Sequence, residues 1–156
     1  VICRASLGHG RYRFVLDSDV HALAPSVVVG LFTWSDDPTD HHREIDVEIA
    51  RWGDAGDPTN AQFVVQPYDT PGNLLRFTVP AGPTRHAFTW MPAAVAFEAA
   101  GGADGATPIA DWVYAGPDVP GEGDENPRIN LWLFRGAPPA DGQPVELVVR
   151  DFVFEP

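Results

Sequence analysis

Nine short apolar runs, none longer than eleven residues, govern what this chain can fold into. They are "GRYRFVLD", "SVVVGLFTW", "REIDVEIARW", "NAQFVVQPY", "NLLRFTV", "HAFTW", "AVAFEA", "RINLWLF" and "PVELVVRDFVF". All are rich in β-branched and aromatic residues, most alternate apolar with polar, and Gly, Pro, Asp and Asn fill the breaks between them. No stretch carries the 3.6-residue period of an amphipathic helix. The pattern predicts an all-β chain, a two-sheet antiparallel β-sandwich of jelly-roll type in which one face of each sheet packs inward. With 156 residues and no internal repeat, residues 1–156 are expected to form a single domain. The stretches "AAGGADGATPIAD" and "GPDVPGEGDENP" read as turn-rich loops within it.

A formal charge of −12 argues against nucleic acid and anionic membrane surfaces as partners, because both recruit basic patches and the ten basic residues here are scattered arginines. No apolar run approaches the roughly 18 to 20 residues of a membrane-spanning helix. Cys3 is the only cysteine, so neither a disulfide within the chain nor a cysteine-based zinc site is expected. The chain begins at Val1 without a basic-then-apolar leader, as a processed or partial chain would.

"HREIDVEIARWG", residues 42–53, stands apart. Ile45, Val47 and Ile49 alternate with Glu44, Asp46 and Glu48, so a strand here sends three carboxylates to one face and three aliphatic side chains to the other. A solvated outer face is one reading, but such faces normally mix signs, and Arg43 and Arg51 lie on the opposite parity. The other reading is catalytic. At about 3.3 Å per residue, Glu44 and Glu48 have Cα atoms roughly 13 Å apart. Two Glu side chains leaning together close most of that gap, toward the 5 to 5.5 Å or so of a retaining glycosidase pair. Asp46 between them would raise the pKa of the acid and orient the nucleophile by sharing a proton.

Glu44-Ile45-Asp46-Val47-Glu48 resembles the catalytic E-x-D-x-E strand of glycoside hydrolase family 16, which includes licheninases, laminarinases and xyloglucan-modifying enzymes. Other segments follow in the family order: "GRYRF" at 10–14, "VVVGLFTW" at 27–34, "TNAQF" at 59–63, "HAFTWMP" at 86–92 and "INLWLF" at 129–134. The resemblance implies a concanavalin A-like glucanase fold, with Glu44 as nucleophile, Glu48 as general acid/base and Asp46 as the assisting carboxylate. It makes Trp34 a sugar-stacking aromatic and puts Trp52, Gln62, Asn130 and Trp132 along the same cleft, although Trp52 and Trp132 suit core packing equally well. His41 and His42 are expected in a surface loop before the strand, and no metal ligand, calcium included, and no cofactor are expected.

The implied activity is that of a monomeric retaining endo-glycosidase acting outside the cytoplasm, extracellular or periplasmic, on a polysaccharide. The one-residue spacing between Asp46 and Glu48 favours a β-1,4 or mixed-linkage glucan. Two departures concern substrate contacts: "FEAAGGADG" replaces the family's Tyr-Val-Asp-Gly turn, and "RGAPPADGQ" follows where further aromatics are usual. A third is that only "VICRASLGH" precedes Gly10, so N-terminal strands are either absent from the chain or the sandwich is reduced. The alternatives are a non-catalytic lectin-like module on the same fold, which would need the cleft but no carboxylate row, and a transglycosylase, which differs only in the acceptor.

Overall fold

A computed structural model describes all residues, Val1–Pro156. Ten strands follow one another: β1 Gly10–Leu16, β2 Val27–Trp34, β3 Ile45–Ile49, β4 Ala61–Val65, β5 Leu74–Phe77, β6 Thr84–Met91, β7 Ala94–Gly101, β8 Thr107–Tyr114, β9 Asn126–Leu133 and β10 Val149–Glu155. They form two five-stranded antiparallel sheets, β10-β1-β6-β7-β8 and β5-β4-β3-β2-β9. The expected sandwich is therefore present, and only short 3₁₀ turns interrupt the β structure.

Alternation determines which face of each strand is buried. In β1, Tyr12, Phe14 and Leu16 are fully buried while Arg11 and Arg13 point away; in β6 and β7 the buried set is His86, Phe88 and Trp90 with Val95, Phe97 and Ala99. Register then lines the aromatics up across the first sheet, with Phe154, Tyr12, Phe88, Phe97 and Trp112 directly opposite one another on successive strands. Phe63 of β4 reaches this row from the second sheet and stacks on Phe97 at 4.9 Å between centroids. Each such ring removes about 150–250 Å² from water, so this row is the main tie between the sheets.

In the second sheet Ile45, Val47 and Ile49 of β3 face inward with Val29 and Leu31 of β2 and Phe63 and Val65 of β4. β3 is the central strand, with two neighbours on either side. Its acidic parity therefore lies at the middle of the sheet's outer surface.

Two sequence expectations are corrected here. The stretch 99–111 is not a loop: β7 runs to Gly101, Gly102 and Gly105 turn the chain with φ of 79° and 67°, and β8 begins at Thr107. Pro108 hid this strand, yet β8 is an edge strand, where a missing N–H is tolerated. "PVELVVRDFVF" forms a strand only from Val149, and residues 144–148 run outside the ladder.

Candidate active site

The outer face of the second sheet is assembled by register. Opposite Glu48 stand Gly30 on β2 and Gln62 on β4, and opposite Asp46 stand Phe32 and Val64. On β9, Asn130 pairs with Gly30, Arg128 with Phe32 and Trp132 with Val28. This face is not a solvated one. Asp46 is only 2% exposed, and Val64, opposite it on β4, is fully buried. The carboxylates thus occupy the floor of a cleft.

Two cavities meet along that floor. One, of about 300 Å³, is bounded by Phe32, Trp34, the three carboxylates, Arg128, Asn130 and Trp132. The other, of about 540 Å³, is lined by Glu48, Trp52, Gln62, Gln66, Tyr68, Leu74, Trp132 and Phe134. Glu48 and Trp132 belong to both, so the two are halves of one groove with the carboxylates near its centre. A third cavity of about 550 Å³, beside Ile129, Leu131, Val145 and Leu147, has one carboxylate, Glu146, and no aromatic lining, and so lacks the paired acids and stacking rings of the groove.

The three carboxylates are unequal. Burial raises the Asp46 carboxyl well above its ordinary value, and the charges of Glu44 and Glu48 on either side push it further. Burial also raises Glu44, to about 7, opposed by a hydrogen bond from Asp46 and reinforced by the charge of Glu48. A single proton shared by Glu44 and Asp46 therefore rests on Asp46, the more deeply buried partner, and Asp46 donates it to Glu44. Gln66 Nε2 donates to the other Asp46 oxygen, Oδ2, at 3.0 Å. Glu48 is raised by burial too, but the Gln62 amide and the Arg76 guanidinium work against that rise.

The approach to β3 is unusual. Asp40, His41, His42 and Arg43 have φ of 50°, 52°, 64° and 51°, four consecutive side-chain-bearing residues in the left-handed region. Each such residue costs about 1–2 kcal/mol, so the segment must be held from outside. Ser35 N donates to His42 O at 2.7 Å; Thr33 Oγ1 donates to Arg43 O at 2.8 Å and accepts from Ile45 N at 3.1 Å. The left-handed turn delivers Glu44 to the end of the cleft floor. His42, expected in a plain surface loop, instead stacks on Trp34 with centroids 4.0 Å apart. Trp34 keeps its other face for the groove, and Asp36 accepts from both Trp34 Nε1 at 3.2 Å and Arg128 Nη2 at 3.1 Å.

All eight residues singled out from the sequence thus converge on one groove: Trp34, Glu44, Asp46, Glu48, Trp52, Gln62, Asn130 and Trp132. Trp52 and Trp132 sit on the outer face with their rings 6.2 Å apart rather than in the core. Sequence reasoning missed Gly30, Phe32, Gln66, Tyr68, Arg76, Arg128 and Phe134. Parity was the available signal for several: Gly30, Phe32 and Trp34 share a face, as do Arg128, Asn130 and Trp132. Among the described residues, no group of three or more His, Cys, Asp or Glu side chains is arranged to hold a metal ion.

No model of a known protein family and no curated protein matches the sequence. Among solved structures, the chain is similar to a prokaryotic β-1,3-1,4-glucanase (lichenase) derived from a mouse hindgut metagenome, with 19% identity, 91% of this chain and 63% of that one covered, and a TM-score of 0.59. It is also similar to a native glycosidic hydrolase, at 20% identity, 92% and 62% coverage and a TM-score of 0.60. A Bacillus licheniformis β-glucanase matches at 19% identity, 82% and 55% coverage and a TM-score of 0.55. The chain spans about three-fifths of the length of these structures. It has the concanavalin A-like fold of the β-glucanases.

Proposed function

We propose that this chain is a retaining endo-glycosidase that cleaves internal β-linkages of a neutral polysaccharide of the β-glucan class, outside the cytoplasm. The observation that carries the reading is Asp46, buried and hydrogen-bonded to Glu44, between two glutamates on the floor of an aromatic groove. A structural role would not require three desolvated like charges on one strand, because their repulsion and burial both oppose folding.

In the proposed mechanism Asp46 keeps the shared proton and leaves Glu44 ionised, facing the anomeric carbon. Glu44 attacks, the glycosidic C–O bond breaks, and the proton of Glu48 passes to the departing oxygen. The resulting Glu48 carboxylate removes a proton from a water molecule, whose oxygen displaces Glu44 and restores the starting state. Sugar rings on either side of the cleaved bond would stack on Trp34 in one half of the groove and on Trp132, Trp52 or Tyr68 in the other. The acidic surface disfavours anionic polymers, and the three carboxylates on the groove floor do so more strongly.

Reducing-sugar release from lichenan, laminarin, xyloglucan and agarose, by the parent chain and by Glu44→Gln and Glu48→Gln, tests the proposal. Release from at least one polymer that both substitutions abolish is the expected result. Glycan binding without release, unchanged in both variants, would make the chain a lectin-like module.

A further inference from the structure

Gln62 lines the groove, and both its amide oxygen and its amide nitrogen are hydrogen-bonded to the protein. It is 5% exposed and lies between Glu48 of β3 and Arg76 of β5 in one row across three strands. Its Oε1 accepts from Arg76 Nη1 at 3.1 Å and from Trp52 Nε1 at 3.3 Å, and its Nε2 donates to Glu48 Oε2 at 2.7 Å. We propose that Arg76 is a positioning residue that acts through the Gln62 amide to fix which oxygen of Glu48 faces the groove and carries the transferable proton. The inference rests on the glycosidase reading for what that proton does, but not for the relay itself.

The chemistry of the amide leaves one orientation. Arg76 and the Trp52 indole can only donate, so the oxygen of Gln62 must face them and its NH₂ must face Glu48. The flipped amide would set NH₂ against two donors and its oxygen against a carboxylate. With Glu48 Oε2 committed as an acceptor, a proton on Glu48 must sit on Oε1, the oxygen left for substrate. Arg76 is itself held in place. It donates to Asp57 Oδ2 at 2.8 Å, Thr59 Oγ1 at 2.9 Å and Ala50 O at 3.1 Å, all in the segment joining β3 to β4. An arginine with one nitrogen on Gln62 and the others on fixed acceptors is an anchor, and its own side chain is three-quarters or more buried.

The relay also tunes Glu48. The charged groups facing it are Glu44 and Asp46 from its own strand and Arg76 from β5; β2 offers only Gly30, β4 only the neutral Gln62, and the Arg128 of β9 is paired with Asp36. Arg76 is thus the cation that offsets burial and the two neighbouring acids. Removing it leaves burial opposed only by the Gln62 amide, so Glu48 should hold its proton to higher pH.

The test is a ¹³C NMR titration of the intact chain labelled at the Glu carboxyl carbons, with Glu48 assigned by the signal lost in Glu48→Gln, run alongside the pH profile of polymer hydrolysis. Arg76→Met should raise the Glu48 midpoint by about half to one pH unit. It should lower kcat about tenfold, leave KM nearly unchanged, and carry the alkaline limb of kcat/KM upward with the midpoint. Arg76→Lys should restore much of the midpoint but little of kcat, since an ammonium supplies charge without the fork. Gln62→Met should raise the midpoint as well, and serves in place of Arg76→Met if that variant does not fold. A Glu48 midpoint that stays put in a folded variant overturns the relay. If the midpoint moves while the parent chain hydrolyses no polymer, the relay stands and the glycosidase reading falls.

Discussion

The imidazole of His42 lies flat against the indole of Trp34, with planes 10° apart and centroids separated by 4.0 Å. His42 is fixed in turn through Nδ1, 2.9 Å from Ser35 O. The pair seals one face of Trp34 and presents the other to the groove. His42→Gly separates the stack from the backbone, because glycine adopts the left-handed conformation of residue 42 without strain. The expected result is glycan affinity lowered about three- to tenfold, the equivalent of one lost aromatic stacking contact, with a thermal midpoint within a few degrees of the parent. Isothermal titration with an oligosaccharide and a melting curve give both readings.

The carboxylate floor makes stability depend on pH in a defined direction. Glu44, Asp46 and Glu48 all hold protons more tightly folded than unfolded. The stabilisation is complete below the ordinary carboxylate value near 4, and it is lost as pH rises through the folded values, which for Glu44 is about 7. The thermal midpoint should therefore fall between about pH 4.5 and 7.5 by a few degrees per kcal/mol. Asp46→Asn should flatten that slope while largely preserving the fold, and it should cut kcat because the proton shared with Glu44 is gone. Differential scanning calorimetry across this range measures the slope; an unchanged slope in Asp46→Asn would contradict the assignment.

Trp132 is shared by both halves of the groove and is 39% exposed. Trp132→Ala should weaken polymer binding about tenfold or more and raise KM, while kcat on short substrates changes little. Its cost to stability should be small, limited to exposing the buried Val28 opposite it on β2. Steady-state kinetics on long and short glucans separate these effects.

Gly30 leaves the floor open beside Glu48. A Cβ there would come within 2.5 Å of Asn130 Oδ1 and 3.3 Å of the Phe32 ring. Gly30→Ala should displace the Asn130 amide into the groove and lower kcat/KM about tenfold, with an unchanged sheet by circular dichroism. Full activity in that variant would show that Asn130 makes no important contact.

The sheets were legible because period-two alternation survives in nearly every strand, and the candidate site was legible because the same alternation assigns Glu44, Asp46 and Glu48 to one face. β8 escaped because Pro108 and small residues blur its pattern. The stacking of His42 on Trp34 escaped because it depends on four left-handed residues, a conformation that Asp, His, His and Arg do not announce. The linkage from Arg76 through Gln62 to Glu48 escaped for another reason. It joins three strands at register positions that only pairing fixes, and no spacing along the chain encodes that register. Gln62 was legible from its place in a segment, but its bonds to Glu48, Arg76 and Trp52 were not.

The most direct test of the central claim is the anomeric configuration of the first product, read by ¹H NMR within the opening minutes of β-glucan cleavage. The β-anomer should accumulate first and the α-anomer grow later by mutarotation, with neither formed by Glu44→Gln or Glu48→Gln. Initial release of the α-anomer, or cleavage that survives either substitution, would contradict the claim.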